Sequence, residues 1–141
     1  MGCDMHCVIE AHNKKTGNWD CFGVSTANRN YTMFSKIADV RNSEKEESYI
    51  EPIAQLRGMP IDATEVAEAW FDYQELNSST TWLDRTELES LDKWLQENHQ
   101  CELWGMLGLD DLKIFFDTKN GWKKAVFTRY DGLRGIFCFS Y

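Results

Sequence analysis

The first thirteen residues, MGCDMHCVIEAHN, hold cysteine, histidine and carboxylate side chains at short spacing. In a β-strand, side chains alternate between two faces, which places Asp4, His6 and Glu10 on one face and Cys7 on the other. A carboxylate beside an imidazole can orient a general base, so Asp4, His6 and Glu10 are candidates for hydrolysis or for chemistry on a nucleotide. The same pattern is also typical of an ordinary solvated sheet face.

The same segment offers a weaker zinc set, Cys3, His6 and Cys7, with His99 or Cys101 as a further ligand. Structural zinc sites usually carry a second compact ligand pair, which this spacing lacks. Buried free cysteines account for the same residues, so the sequence predicts neither a metal nor another cofactor. Because neighbouring strand residues diverge, His6 and Cys7 also make a poor nucleophilic pair. The sequence has no Walker loop and no H-E-x-x-H motif.

Charge and length restrict the class of protein. The chain of 141 residues has 23 acidic and 15 basic residues, a net charge of -8. Such a surface repels a phosphate backbone, which disfavours a general nucleic-acid binder, and it suits the basic groove of a partner protein. One domain over residues 1–141 can bury its own core. Five scattered cysteines and the lack of a membrane-length apolar run favour a reduced, cytoplasmic protein without a membrane partner.

The segments that would position these side chains predict an antiparallel sheet. Residues 14–18 have turn chemistry, and residues 19–24 are typical of a returning strand that forms a β-hairpin with the first. Residues 133–141 alternate as a closing strand, which we expect to pair with that hairpin. The first strand would then be central, and Arg134 would be able to neutralise Asp4 in a structural ion pair.

Helices are predicted to cover one face of this sheet, which gives an α+β fold with three or more helices. Asp62 and Thr86 are predicted to begin two of them through capping-box pairs with the glutamates three residues later. A polar loop is expected at residues 77–81. Residues 109–130 fit either further helices, which their apolar spacing favours, or a hairpin. The helices predicted from apolar spacing are about three turns from residue 31, residues 63–75 and residues 86–98.

Several short motifs along the chain resemble an uncharacterised family of small bacteriophage-encoded proteins. They are the opening GCDMH, an R-x-Y-x-x-F-x-x-x-A-x-V-R segment from Arg29 to Arg41, Arg57-Gly58-Met59-Pro60, Trp82-Leu83 and a closing LRGIFCF. Members of that family carry His-Ser-x-Ser before the Trp-Leu pair, where this chain has Asn77-Ser78-Ser79-Thr80. They also have Trp and Asp where Cys138 and Ser140 stand here. If those family residues carry chemistry, this chain has lost it.

The resemblance implies a protein that acts on a bacterial host. Together with the acidic charge, it leads us to expect a phage-type binding protein that interferes with a host component, such as a defence complex, in the manner of an anti-CRISPR protein. The enzyme hypothesis above is one alternative. Another is a sponge that captures a phosphorylated second messenger through arginine side chains. The arginines predicted to bind this ligand are Arg29, Arg41, Arg57 and Arg134.

Overall fold

The fold is an α+β architecture in which a four-stranded antiparallel sheet has the strand order β2-β1-β4-β3. The computed structural model describes residues 2–42, 49–74, 79–113 and 129–140. The strands are β1 (Asp4–Asn13), β2 (Trp19–Thr26), β3 (Thr80–Asp84) and β4 (Tyr130–Ser140). The helices are α1 (Tyr31–Ala38), α2 (Glu65–Tyr73), α3 (Arg85–Glu97) and α4 (Leu103–Leu107), and a 3-10 turn follows at Asp110–Leu112. No helix among the described residues has the length and apolar character needed to cross a membrane.

β1 and β4 form the centre of the sheet. They are antiparallel, with Asp4 opposite Ser140 at one end and His12 opposite Gly132 towards the other. β2 pairs with the other side of β1, and a bulge interrupts that register after Ile9. The predicted hairpin, the closing strand and their pairing are therefore confirmed. β4 starts at residue 130, three residues before the predicted start, because its pairing with β1 continues beyond the apolar run.

The main core lies on one face of the sheet. Met5, Cys7 and Ile9 point into it from β1 and are fully buried. Helices α1, α3 and α4 cover this face, so three helices lie on one face as predicted, but α4 takes the place of the helix predicted over residues 63–75. α3 shows how the sequence specifies the arrangement, since Leu88 and Leu91 lie one turn apart on the stripe that it buries.

The opposite face of the sheet is covered as well, which the sequence analysis did not predict. Val8 and Ile136 on this face pack against Ala67 and Phe71 of α2. Burial of a side chain as large as Phe71 contributes roughly 1.5–3 kcal/mol. β1 therefore separates two apolar cores, and its even-numbered side chains do not form a solvated face.

The start of α2 differs from the prediction. Thr64 is the N-cap, and its hydroxyl accepts a hydrogen bond from the backbone N–H of Ala67. The predicted cap, Asp62, instead accepts hydrogen bonds from the side chains of Arg134 and Trp19. Its carboxylate is drawn to a buried guanidinium, an interaction that a local capping pattern does not reveal.

The start of α3 is also corrected. Asp84 and Glu87 form a reciprocal capping box, so the predicted box of Thr86 and Glu89 is wrong. Both pairs have the required spacing, and the first is used because β3 ends at Asp84 and its extended backbone suits an N-cap.

The first two residues of β3, Thr80 and Thr81, lie in the segment of residues 77–81 for which a polar loop was predicted. Thr80 lies opposite Cys138 and Asp84 opposite Arg134, so the strand pairs with the outer side of β4. β-branched threonines favour a strand once a partner is available, whereas the serine and threonine run alone resembles a turn. Most of the helices predicted over residues 109–130 fall on residues 114–128, outside the described residues.

Candidate functional site

A buried ion pair connects the two central strands. Arg134 lies opposite Glu10 in the register, and its Nε donates a hydrogen bond to Oε1 of Glu10 at 2.6 Å. The two side chains are 7% and 0% exposed, respectively. A buried charge requires a partner of opposite sign with good hydrogen-bond geometry, and each residue is that partner for the other.

The remaining polar atoms of this pair hold the segment that leads into α2. Oε2 of Glu10 accepts from the backbone N–H of Thr64 at 2.8 Å, and Nη1 of Arg134 donates to Asp62 at 2.7 Å. The hydrogen bond from Arg134 is the main reason that the pKa of Asp62 is lowered. The guanidinium also lies 3.8 Å from the ring centroid of Trp19. Glu10 and Arg134 therefore position α2 on the sheet.

His6 lies on the same face, near the other end of β1. Its Nδ1 is 2.8 Å from Oγ1 of Thr26, and its ring meets Trp70 of α2 edge-on with centroids 6.3 Å apart. Burial lowers the pKa of His6, so the imidazole is neutral at pH 7. A neutral imidazole paired with a hydroxyl is not the carboxylate-oriented base that the sequence suggested.

The register also places Cys138 directly opposite His6, a thiol and imidazole pair that the sequence analysis did not consider. Cys138 is fully buried, and its Sγ lies 2.9 Å from the hydroxyl of Thr80. Burial raises the pKa of Cys138, so the thiol stays protonated. Because the thiolate is the nucleophile, this pair is not activated for covalent catalysis.

Asp4 pairs with Arg29 near the start of β1. Nη2 and Nε of Arg29 donate to one carboxylate oxygen at 2.8 and 3.1 Å. The predicted pair of Asp4 with Arg134 is wrong, because the register sets Arg134 opposite Glu10, six residues further along β1. The three candidate catalytic residues thus have separate partners. The partner of Asp4 is Arg29, that of His6 is Thr26 and that of Glu10 is Arg134.

The cysteines of the weak zinc set lie in the main core. Cys3 and Cys7 are fully buried, and burial raises the pKa of each thiol. His6 projects from the opposite face of β1, as strand alternation predicts. Among residues 2–42, 49–74, 79–113 and 129–140, no group of three or more His, Cys, Asp or Glu side chains has the arrangement of a metal site.

The four arginines proposed to bind a phosphorylated ligand lie at different places. Arg57 donates to both carboxylate oxygens of Glu87, at 2.7 and 2.6 Å. Arg41 lies over the ring of Tyr31, with 5.6 Å between the guanidinium carbon and the ring centroid. The other two, Arg29 and Arg134, are paired with carboxylates as described above. Three of the four cations are therefore held by carboxylates at three separate points of the fold.

Two cavities are lined by other residues. The larger, about 570 Å³, follows α3, where Leu88, Leu103 and Leu133 contribute to its lining. The smaller, about 450 Å³, lies beside Lys36 and Trp94, whose ammonium and ring are themselves in contact. No residue of the predicted catalytic or ligand-binding sets lines either cavity.

The outer face of α2 carries a row of carboxylates. Glu65, Glu68 and Asp72 are exposed, and none of these carboxylates has an ion pair or hydrogen bond with another described residue. The helix contains no basic residue. This row is the largest concentration of unpaired charge that we find on one element of the described structure.

An apolar stripe runs beside this row. Val66 and Tyr73 are 50% and 79% exposed, and Ala69 between them is exposed too. The ring of Tyr73 stacks on Trp70 with centroids 6.3 Å apart and an interplanar angle of 14°. A surface helix normally turns its apolar side chains towards the core, so an exposed apolar stripe on a helix points to a contact.

The charge pattern of the sequence contains a signal for this surface that the sequence analysis did not use. Residues 58–84 include six acidic residues and no lysine or arginine. This stretch therefore contributes -6 of the net charge of -8. The acidic row and the apolar stripe of α2, rather than the first strand, form the candidate functional site.

The fold and this site together define an acidic α+β protein with an exposed, amphipathic helix on one face of its sheet. Comparisons with protein-family models, with curated proteins and with solved structures found no match to this chain.

Proposed function

We propose that this protein is an acidic binding protein that acts by occupying a basic surface of a bacterial host protein. The observation that carries the proposal is the acidic row on α2, formed by Glu65, Glu68 and Asp72, whose carboxylates have no ion pair with another described residue. Like charges three and four residues apart destabilise a helix by a few tenths of a kcal/mol. Glu65 and Glu68 lie in the first turn, where the helix dipole favours a negative charge, but Asp72 lies in the last turn, where the dipole disfavours it. A basic partner removes both penalties.

The chemistry of the row indicates the kind of partner. Complementary fields accelerate encounter and suppress the wrong partners, so the carboxylates favour a groove lined with lysine and arginine. Proteins that bind nucleic acid present such grooves to the phosphate backbone. A nucleic-acid-binding component of a host defence complex therefore fits both the charge and the resemblance to phage proteins.

The contacts of the first strand support binding over catalysis. Asp4, His6 and Glu10 each contact a different residue, and Glu10 is fully buried. A general base must reach its substrate within hydrogen-bond distance, which a fully buried and ion-paired carboxylate does not do.

The proposal is tested by capture from a nuclease-treated lysate of the bacterial host at about 0.05 M and about 0.3 M salt, since salt screens exposed charges. The immobilised proteins are the wild type and a variant with Glu65→Lys, Glu68→Lys and Asp72→Lys. We expect the wild type to retain one specific host protein at the lower salt and the triple variant to lose it. The matched control carries Glu51→Lys, Asp110→Lys and Asp111→Lys, exposed acidic positions away from α2.

Two results would overturn the proposal. One is the absence of a specific host protein at both salt concentrations. The other is equal capture by the α2 variant and by the wild type. If capture by the α2 variant equals that of the wild type and only the control variant loses it, the acidic surface in use lies elsewhere.

A further inference from the structure

The acidic row does not account for the apolar stripe beside it. We propose that the stripe formed by Val66, Ala69 and Tyr73 docks into an apolar groove with a basic rim on the partner protein, so that α2 binds as a helix in a groove. This inference rests on the proposed function, because it specifies the contact through which the acidic protein binds. The proposed function specifies a basic surface on the partner, and this inference adds that the basic residues surround an apolar groove.

The spacing of the stripe suits such a groove. Val66, Ala69 and Tyr73 follow one another at intervals of three and four residues, the pattern by which a helix presents anchors on one face. Ile61, in the segment before α2, is fully exposed and adds apolar surface near the N-terminal end of the helix. Apolar side chains gathered in one region are typical of interaction sites, whereas single ones are normal on any surface.

Tyr73, the aromatic residue of the stripe, is already packed against another side chain in the free protein. Tyr73 stacks on Trp70, which in turn meets His6 on the sheet. A side chain that is already ordered loses less conformational entropy on binding. Tyrosine and tryptophan also dominate the few residues that supply most of the binding energy in interfaces.

The helix itself is fixed to the sheet. Glu10 accepts a hydrogen bond from the backbone N–H of Thr64 at the N-cap, and Arg134 holds Asp62 two residues earlier. Phe71 anchors the buried side of α2 in the second core. The stripe is therefore presented by a rigid element, which favours precise docking.

Charge decides which kind of molecule can bind the stripe. A second copy of this chain would place its own α2 carboxylates against those of the first, and like charges across an interface are strongly unfavourable. A nucleic acid is repelled for the same reason. A protein groove whose rim carries lysine or arginine satisfies the acidic row and the apolar stripe together.

Nuclear magnetic resonance titration of the full chain with two synthetic peptides tests the inference. The first peptide places leucine at helical spacing on one face and lysine along the edges of that face, and the second keeps every lysine but replaces each leucine by serine. We expect the first peptide to shift the amide signals of α2 and to bind at least about tenfold more tightly than the second, a difference of about 1.4 kcal/mol.

Two variants and a control locate the contact. Val66→Ser and Tyr73→Ser should each weaken binding of the leucine peptide about tenfold or more and leave binding of the serine peptide unchanged. Tyr49→Ser alters an exposed tyrosine away from α2 and should change neither. Both test positions are exposed, and unchanged urea unfolding midpoints verify that the variants are folded. Should Tyr73→Ser unfold, Val66→Ser alone decides the test.

Several outcomes would overturn the inference. Equal affinity for the two peptides would mean that charge alone drives binding. Amide shifts confined to the groove along α3 would place the contact there. A dimer of the free protein that Tyr73→Ser dissociates would identify the occupant as a second copy. A host protein captured equally by wild type and Tyr73→Ser would overturn this inference and leave the proposed function standing, whereas failure to capture any would overturn the proposed function.

Discussion

Arg134 and Glu10 face each other across the two central strands, with 2.6 Å between Nε and Oε1 and with both side chains buried. The second oxygen of Glu10 accepts from the backbone of Thr64, and the second branch of the guanidinium reaches Asp62. One ion pair thus links the middle of the sheet to the start of α2. Loss of this ion pair should lower the free energy of unfolding and should also disturb α2, whose surface we propose for binding.

Removing one member of this pair should be costly. Arg134→Leu leaves the carboxylate of Glu10 buried without its cation, which we expect to lower the free energy of unfolding by about 3–5 kcal/mol. Urea unfolding followed by circular dichroism measures the change. The amide signals of α2 should also broaden or shift, because Arg134 fixes the preceding segment.

The exposed pair of Arg29 and Asp4 is the matched control, since both of its side chains are about half exposed. Arg29→Leu should lower the free energy of unfolding by less than about 1 kcal/mol. The double variant Glu10→Leu with Arg134→Leu should recover part of the stability that Arg134→Leu loses. Equal losses from Arg29→Leu and Arg134→Leu would contradict the assignment of a buried, stabilising pair.

The sheet was largely predictable from the sequence, for reasons that particular residues show. β1 largely alternates polar with apolar side chains, β4 contains the apolar run of residues 136–139, and Gly17, in a left-handed conformation, marks the turn between β1 and β2. β3 was missed because its strand character depends on pairing with β4 rather than on local pattern. A segment as short as Thr80–Asp84 carries few residues from which to detect a period.

The partners of the side chains first considered as a site were harder to predict, because these contacts join residues far apart in sequence. Placing Glu10 and Arg134 on strands did not reveal that they are opposite, since a shift of register changes every cross-strand partner. The interpretation of even-numbered β1 positions as a solvated face failed because α2 covers them. Only the excess of acidic residues in 58–84 could be recognised from the sequence without knowledge of the fold.

The corrected helix start gives a direct test of the capping box. Asp84 accepts from the backbone N–H of Glu87 at 2.9 Å, so Asp84→Ala should cost about 1 kcal/mol of unfolding free energy. Thr86→Ala should change it by no more than a few tenths, because Thr86 lies inside the helix and is exposed. Chemical denaturation compares the two variants, and a larger loss for Thr86→Ala would restore the cap predicted from sequence.

The contact between His12 and Asp131 should make stability depend on pH. Their 2.6 Å hydrogen bond raises the pKa of His12 and lowers that of Asp131. The His12 contribution is fully present below about pH 6.5 and is lost as pH rises through its folded pKa. The Asp131 contribution is present above about pH 4 and is lost as pH falls through its folded pKa. The contact therefore stabilises most between these values.

Urea unfolding of wild type and His12→Gln over a pH series measures this contribution. The stability difference between them should be largest near pH 5–6 and should shrink above about pH 7. Histidine resonances provide a second readout, since His12 should titrate above the ordinary histidine pKa and His6 below it. A difference that stays constant from pH 5 to pH 8 would show that the contact does not depend on the charge of His12.

The cysteines should differ sharply in reactivity. Cys101 is exposed and Cys21 is half-buried, whereas Cys3, Cys7 and Cys138 are buried; burial raises the pKa of these last four thiols. A disulfide reagent at about pH 8 should modify Cys101 in a fast phase and the buried thiols only after unfolding in urea. Cys101→Ser should remove the fast phase. Its persistence in that variant would show that one of the other thiols is open to solvent.

The proposed binding role predicts that stability and binding move in opposite directions at Asp72. Asp72→Lys places a cation in the last turn of α2 and four residues after Glu68, where it complements the helix dipole and forms a favourable pair. We expect the free energy of unfolding to rise by about 0.5–1 kcal/mol at low salt and the gain to shrink at high salt. Asp72→Asn should give about half of the gain.

The same substitution should weaken binding of the leucine and lysine peptide, because it removes one carboxylate and adds a repelling charge. A gain in stability together with a loss of affinity would mean that Asp72 serves the partner at the expense of the helix. A loss of stability in Asp72→Lys would contradict the account of α2, since it would reveal a stabilising role for the carboxylate. The carboxylate of Asp72 would then be explained without a partner.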